Sequence, residues 1–172
     1  GINAITAPRS PLTGGNAEIR VILQNQGASP LTSVTINWTV NASLQDEYQW
    51  NGSLGIGQNV ELSIGSFDFQ QGEVYSLKVW TSAPNGSQDC NTLNDTALIE
   101  DLSSPLCGLY TIGGANPDFT SLAEAASVLN RAGIACPVTF SIREGTYAEQ
   151  IVLKAISGSS GQNTITFRSE TG

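Results

Sequence analysis

The residues with the clearest capacity for chemistry lie in one loop, from Asn85 to Asp95. Its carboxylate, amide and hydroxyl oxygens are of the kind that Ca²⁺ binds, about six to eight at a time. Asn, Asp and Gly are also the usual residues of turns, because they tolerate left-handed backbone angles and bond their own backbone. The loop lacks the ligand spacing of an EF-hand. Turn formation is therefore the favoured interpretation and calcium the alternative, with candidate ligands Asp89, Asn91, Asn94 and Asp95.

Carboxylate pairs raise the question of glycoside hydrolysis, which uses two Asp or Glu residues around the scissile bond. The pairs in this chain are Asp46–Glu47, Glu100–Asp101, and Glu144 with Glu149. Neighbouring residues of an extended strand point to opposite faces, so neither adjacent pair can face one substrate, and Glu144 and Glu149 are expected around a turn. The chain has no histidine, which excludes imidazole bases and Ser-His-Asp triads. We expect no catalytic residues and no enzyme activity.

Charge and composition narrow the possible partners. The 172 residues carry 7 basic and 15 acidic side chains, a net charge of −8 at pH 7. This charge argues against nucleic acid, where affinity comes largely from Lys and Arg on phosphates, and against an anionic membrane surface. No apolar run reaches the roughly eighteen residues of a membrane-spanning helix. Only 13% of residues are charged, about half the usual fraction, and Ser, Thr, Asn and Gly replace them, which favours a secreted β-protein.

Residues 1–103 show the two-residue alternation of half-buried strands. About seven such strands, with turn signals between them, predict an immunoglobulin-like β-sandwich. The clearest strand covers residues 33–40, whose inward side chains are expected to be Val34, Ile36, Trp38 and Val40.

The aromatic residues of this domain divide into two groups. Trp38 and Trp80 lie within apolar strands and are expected in the core. Tyr48 and Trp50 are less constrained by their neighbours. Any glycan contact on the sandwich is therefore expected at Tyr48 and Trp50.

A second domain, residues 104–172, is predicted after the break at Ser103–Pro105. It has one clear helix, in which Ser121 and Glu124 form the capping box S-x-x-E and Gly133 supplies the left-handed stop. Three short strands follow without a second helix. Because a βαβ sheet needs helical crossovers, this order instead predicts a capping helix followed by the first coils of a right-handed parallel β-helix. The predicted strands are Val138–Ile142, Gln150–Leu153 and Thr164–Phe167.

Four motifs of the second domain occur in an informative order. They are Tyr110-Thr111-Ile112-Gly113-Gly114, the stretch from Pro117 to Ala125, Pro137-Val138-Thr139-Phe140, and the stretch from Gly145 to Ile151. With them the domain resembles the N-terminal start of pectin-lyase-like β-helix regions in large secreted or surface proteins of Bacteroidetes, and the Gly-x-Tyr-x-Glu step is similar to the opening of pectinesterases. In such enzymes the catalytic residues lie on later coils. Solenoids need at least about three repeats, so we expect the chain to continue past residue 172.

The motifs of the first domain are looser and consist of residues 21–27, 36–40, 50–54 and 89–95. On these the domain resembles the CARDB-type adhesion-related sandwich. The resemblance implies a spacer or binding module in a multidomain exported protein. Asp95-Thr96-Ala97 also resembles the O-glycosylation tripeptide of Bacteroidetes, which implies a sugar on Thr96.

The three cysteines allow one internal disulfide. Their spacing contains no C-x-x-C unit of a metal knuckle. Cys107 and Cys136 flank the first strand and the helix of the second domain, so a bridge between them would staple that helix against the first coil. Two buried free thiols in a reducing compartment are the alternative. With the bridge formed, Cys90 is left over, and its acidic neighbours argue against a reactive nucleophile.

Together these features predict a non-catalytic segment of a large exported bacterial protein, secreted or on the cell surface. We expect it to act as a spacer and as an adhesion or glycan-contact module. Its expected partners are a polysaccharide or cell-surface glycan and the remaining domains of the same polypeptide, with no cofactor apart from the calcium alternative. The second hypothesis is the accessory N-terminal portion of a β-helix polysaccharide lyase or esterase whose active site lies beyond residue 172.

Overall fold

The chain divides into two compact units. The computed structural model describes residues 1–12, 14–89 and 94–171. The first unit comprises Gly1–Ser10, Gly15–Asp68 and Tyr75–Leu102, and the second comprises Pro11–Gly14, Phe69–Val74 and Ser103–Gly172. The second unit thus includes two short segments from the first hundred residues. A single boundary after residue 103 assigns these two segments to the first unit.

The first unit is built from strands in two sheets. The strands are β1 (Ile2–Ala7), β2 (Gly15–Gln24), β3 (Leu31–Val40), β4 (Ser43–Leu44), β5 (Tyr48–Leu54), β6 (Asn59–Phe69), β7 (Val74–Ser82) and β8 (Thr96–Ser103). One sheet has the order β1-β2-β6 and the other β4-β3-β7-β8, with β5 also paired to β3. Strand β3 pairs antiparallel with both β5 and β7. The mainly β architecture predicted from the sequence is confirmed.

Alternation along β3 places its apolar side chains in the core. Those predicted to point inward between residues 33 and 40 are all buried. The indole N–H of Trp38 donates to the carbonyl oxygen of Asp46 at 2.9 Å, which satisfies the polar atom of a buried ring. A Cβ atom at Gly65 would lie 2.8 Å from the Trp38 ring. Glycine at position 65 therefore makes the room that this indole needs.

The second unit contains a parallel sheet and one α-helix. Its elements are β9 (Leu106–Ile112), α1 (Leu122–Ala132), β10 (Ile134–Ile142) and β11 (Ile165–Ser169). The sheet order is β11-β10-β9, and both pairs are parallel. Helix α1 therefore joins two neighbouring parallel strands, whereas the sequence led us to argue against a βαβ unit. The expectation is wrong because β9 pairs in parallel with β10, so that α1 is the helical crossover between them.

The predicted strand Gln150–Leu153 is wrong as well. Residues 148–156 have no regular secondary structure. The apolar side chains of this segment are not inside a strand, and Val152 is 65% exposed.

The ends of α1 follow the predicted signals with one difference. The hydroxyl of Ser121 accepts from the Glu124 N–H at 3.1 Å, as in a capping box. The Glu124 carboxylate, however, accepts from the backbone N–H and hydroxyl of Thr120, each at 2.7 Å, rather than from Ser121. Gly133 ends the helix with φ of 75°, a value that favours glycine.

The core of the second unit lies between α1 and the parallel sheet. The buried residues of this cluster are Leu106, Ile112, Phe119, Ala125, Leu129, Ile134, Val138 and Phe140. The in-register pairing of the strands aligns three aromatic rings, because Phe140 is opposite both Tyr110 and Phe167. The Phe140 and Phe167 rings are stacked with centroids 4.8 Å apart, and the Tyr110 and Phe140 rings with centroids 5.9 Å apart.

Candidate functional site

Asp95, a candidate calcium ligand, is a buried carboxylate with protein partners. Its side chain accepts a hydrogen bond from the Thr81 hydroxyl at 3.0 Å, and its carbonyl oxygen accepts from the Thr81 N–H at 3.2 Å. The residue is only 3% exposed. Burial raises the pKa of the Asp95 carboxyl, the hydrogen bond from Thr81 opposes that rise, and the negative charge of Asp89 adds to it. Asp95 therefore joins the start of β8 to β7.

Two neighbouring carboxylates, those of Asp89 and Asp95, are consistent with the calcium alternative. Asp89 and Asp95 both line an open depression of about 380 Å³. No group of three or more Asp, Glu, Cys or His side chains able to hold a metal occurs in residues 1–12, 14–89 and 94–171. Asn94 lies beside Asp95 in sequence, and Asn91 and Cys90 fall outside the described residues. Calcium binding stays a prediction.

The aromatic residues are arranged differently from the expectation. Trp50 is only 8% exposed and lies opposite the buried Val34 across the β3–β5 pair. Tyr48, two residues earlier, shares the inward face of β5 and is half-buried. A Cβ atom at Gly52 would lie 2.5 Å from the Trp50 ring, so the chain leaves space for the indole there. Burial removes Trp50 from the residues available to a glycan.

Trp80, expected in the core, lies on the outer face of the same sheet. On β7 the residues Tyr75, Leu77, Val79 and Thr81 are buried, and Trp80 between the last two is half-buried. The Lys78 ammonium, on the same face, lies 5.4 Å from the centroid of the Trp80 ring, within cation–π range. The alternation in the sequence of β7 was the signal that could have placed Trp80 outward, because two residues that adjoin in a strand face opposite sides.

Polar side chains surround Trp80 on this face. Across the β3–β7 pair, Asn37 is opposite Trp80 and Thr35 is opposite Ser82. The Asn37 amide donates to the Ser82 hydroxyl at 2.8 Å. On the next strand, Gln49 accepts from the Thr35 hydroxyl at 3.1 Å. We call this set of residues the Trp80 face; its members are Thr35, Asn37, Gln49, Lys78, Trp80 and Ser82.

Three of the paired carboxylates have defined positions, with Glu100 and Asp101 on β8 and Glu149 beside the first turn of α1. Asp101 has φ of 58°, and both Glu100 and Asp101 are exposed, so strict alternation does not hold there. Glu149 accepts from the backbone N–H of Ala123 at 2.8 Å, in the first turn of α1. This carboxylate thus caps a helix, a role that the sequence argument missed.

The predicted disulfide is present. Cys107 and Cys136 are bonded, with Cα atoms 4.9 Å apart. Cys107 lies within β9 and Cys136 within β10, so the bond joins two neighbouring strands. The chain between them contains α1, and the bond therefore closes a loop around the β9–α1–β10 crossover.

Thr96, the predicted O-glycosylation site, is the first residue of β8 and is exposed. The preceding Asp95 is buried. Glycosylation of Thr96 stays a prediction.

Among known proteins, similarity to this chain is found in solved structures. No protein-family model matches the chain, and no curated protein matches it. The chain is similar to CARDB domains. The CARDB domain of a Pyrococcus furiosus protein, solved in complex with di-metal ions, is 21% identical, with 60% of this chain and 84% of that chain covered and a TM-score of 0.47.

Two further structures show a comparable likeness. The solution structure of the same Pyrococcus furiosus CARDB domain is 23% identical, covering 60% of this chain and 91% of that chain at a TM-score of 0.46. A cell surface protein domain from Methanosarcina acetivorans is 19% identical, covering 62% and 91% at a TM-score of 0.43.

The only α-helix in the described part of the chain, α1, has 11 residues. No helix among those residues is long and apolar enough to cross a membrane.

Proposed function

We propose that the chain is a non-catalytic segment of a large exported bacterial protein, secreted or on the cell surface, that serves as a spacer and as a glycan-contact module. The observation that carries this proposal is the Trp80 face, where an aromatic ring lies among amide and hydroxyl groups on the outer side of a sheet. An aromatic ring with polar groups beside it can contact both the carbon-bound hydrogens and the hydroxyls of a sugar.

The second unit supports the spacer part of the proposal. Three in-register parallel strands with stacked rings at equivalent positions fit the first coils of a right-handed parallel β-helix, in which each coil stacks on its neighbour. This is the arrangement that the resemblance to pectin-lyase-like regions implies. Such a solenoid would extend the polypeptide without needing chemistry of its own.

The same parallel strands also favour one alternative. A β-helix that continues past residue 172 and carries clustered carboxylates and a basic residue on neighbouring coils would make this chain the accessory N-terminal portion of a polysaccharide lyase or esterase. Under this alternative too, the catalytic groups lie outside the 172 residues.

The proposal is tested by incubating the chain with insoluble cellulose, xylan, mannan and chitin. The bound fraction and the reducing ends released into solution are both measured, with heat-unfolded chain as the control. We expect retention on at least one polysaccharide and no release of reducing ends. Release of reducing ends by the folded chain would contradict the non-catalytic assignment, and equal retention of folded and unfolded chain on all four would contradict the glycan-contact role.

A further inference from the structure

The Trp80 face has the aromatic component of a sugar site. Of the three tryptophans, Trp38 and Trp50 are buried, whereas Trp80 is half-buried on the outward side of β7. The carbon-bound hydrogens of a pyranose ring are weakly positive and pack against the negative face of an aromatic ring. The Lys78 ammonium lies over the Trp80 ring, 5.4 Å from its centroid and within cation–π range, so a pyranose that stacks on this side of the indole takes the place of the ammonium.

The polar component lies directly beside the ring. Asn37 is the cross-strand neighbour of Trp80, and its amide already donates to Ser82. This bond orients both side chains and leaves the Asn37 carbonyl oxygen to accept and the Ser82 hydroxyl hydrogen to donate. Sugar hydroxyls can donate and accept in the same way, so the pair matches two hydroxyls of one ring.

Charge selects a neutral saccharide over an anionic polymer. The first 104 residues carry three basic and ten acidic side chains, and a surrounding field of that sign repels polyanions. Lys78 is the only lysine in that stretch. The cross-strand neighbour of Trp80 on β3 is the amide of Asn37, and the Gln49 amide on β5 donates to the Glu47 carboxylate at 3.0 Å, which adds a negative charge beside the polar strip.

We infer that the Trp80 face binds a neutral saccharide chain, with one pyranose ring stacked on Trp80 and its hydroxyls bonded to Asn37 and Ser82. Thr35 and Gln49 extend the polar strip away from the ring and contact the next sugar of the chain. This inference deepens the proposed glycan-contact function and rests on it. It places the site on the opposite side of the sheet from Tyr48 and Trp50.

The test is calorimetric titration of the full 172-residue chain with cellohexaose, xylohexaose, mannohexaose and maltohexaose. Wild type, Trp80→Ala, Trp80→Phe and Tyr48→Ala are compared, each first shown to be folded by thermal melting. We expect wild type to bind at least one hexaose and Trp80→Ala to bind it about tenfold more weakly, which corresponds to about 1.4 kcal/mol. Trp80→Phe keeps a ring and should lose less, and Tyr48→Ala, altered on the inward face, should bind as wild type does.

A second readout is independent of affinity. Because Trp38 and Trp50 are buried, saccharide binding at Trp80 should protect wild-type fluorescence from acrylamide and should not protect Trp80→Phe. Equal binding by wild type and folded Trp80→Ala overturns the inference and leaves the proposed function standing. Trigalacturonate is titrated as the anionic comparison. Its binding, without binding of any of the four neutral hexaoses, overturns the neutral-saccharide assignment. Retention on cellulose, xylan or mannan without binding of the matching hexaose overturns the Trp80 site alone, and absence of both retention and hexaose binding overturns the site and the glycan-contact function.

Discussion

The side chain of Asn130 hydrogen-bonds the backbone at Val152 in the way that a neighbouring strand would. From the last turns of α1, the Asn130 amide donates to the Val152 carbonyl oxygen at 2.8 Å, and its own oxygen accepts from the Lys154 N–H at 2.8 Å. One amide thus makes the two hydrogen bonds that a paired strand would provide. The segment Gln150–Leu153 contains a short apolar run with β-branched residues, but it is held by this side chain and not by backbone pairing with a strand.

Replacing Asn130 should therefore loosen this segment. Asn130→Ala removes both bonds and should lower the free energy of unfolding by about 1 to 2 kcal/mol. Hydrogen exchange of the Lys154 N–H should accelerate, since its acceptor is gone. Ser127→Ala, on the same helix, is the control and should leave that exchange unchanged. Unaltered exchange at Lys154 in Asn130→Ala would show that the amide does not hold the segment.

The disulfide should contribute substantially to stability. It closes a loop with a sequence separation of 29, and the chain-entropy model gives about 3 to 4 kcal/mol for a loop of roughly thirty residues. The double variant Cys107→Ser and Cys136→Ser should lose that amount in urea unfolding without reductant. Thiol labelling of unfolded wild type should find one free thiol per chain, because two of the three cysteines are bonded. Three labelled thiols would contradict the bond.

Ser104 should be replaceable with a gain in stability. The residue is fully buried and its hydroxyl has no hydrogen-bond partner among the described residues, although its backbone N–H donates to the Glu73 carbonyl oxygen at 2.9 Å. Ser104→Ala removes an unsatisfied buried hydroxyl and should raise the free energy of unfolding by up to about 1 kcal/mol.

The matched control for Ser104 is Ser121→Ala. It removes the hydroxyl that caps α1 and should cost about 1 kcal/mol. The two serine-to-alanine changes are thus expected to have opposite signs in the same urea titration. A loss of stability in Ser104→Ala would indicate a partner for that hydroxyl, such as a bound water.

Because of Asp118, the free energy of unfolding should decrease as the pH falls into the acid range. Its carboxylate accepts from the hydroxyl and the backbone N–H of Thr111, both at 2.7 Å. These bonds, with a smaller contribution from the charge of Arg143, lower the pKa of Asp118 in the folded chain. A folded-state pKa below the unfolded value of about 3.9 stabilises the fold above that value, and the stabilisation is lost as pH falls through the folded pKa.

Asp118→Asn therefore should destabilise the chain at pH 7, with a difference from wild type that shrinks below about pH 4. Urea unfolding at pH 7, 5 and 3 measures this difference. Thr111→Val removes the hydroxyl, which donates to the Asp118 carboxylate and accepts from the Asp118 N–H at 3.0 Å, but it keeps the backbone N–H donor, so its pH-dependent effect should be smaller and of the same sign. A difference that stays constant from pH 7 to 3 would mean that charge on Asp118 does not contribute.

Calcium should raise the melting temperature if Asp89 and Asp95 share an ion. For a dissociation constant of about 0.1 to 1 mM, as in extracellular modules, 10 mM Ca²⁺ adds about 1.4 to 2.7 kcal/mol. The shift should be reversed by EDTA and absent in Asp95→Asn, with equal ionic strength of NaCl as the control. A melting temperature that responds to neither calcium nor EDTA would contradict the calcium alternative.

Elements with a strong periodic pattern were predictable from the sequence. The alternation of Val34, Ile36 and Trp38 placed β3 in the core, and Ser121 and Gly133 marked the ends of α1. Local pattern was sufficient there because burial and capping involve residues close in sequence.

Features that depend on pairing between distant segments were not predictable. Which residues of β3 lie beside those of β5 and β7 is fixed by the register of these pairs, so the polar neighbours of Trp80 could not be identified from the sequence. Likewise, no residue close in sequence to Gln150–Leu153 indicates that the Asn130 side chain will hydrogen-bond the backbone of this segment. The outward position of Trp80, by contrast, follows from the alternation along β7 alone.

The most direct test of the proposed function is to sequence the source reading frame beyond residue 172. We propose that these residues are a non-catalytic spacer and glycan-contact segment of an exported protein. This proposal predicts further coils or sandwiches without clustered carboxylates and arginine on one face, followed by a secretion or anchoring region. Several further coils with Asp and Arg clustered on one face would contradict it and make the chain the lead-in to a lyase or esterase.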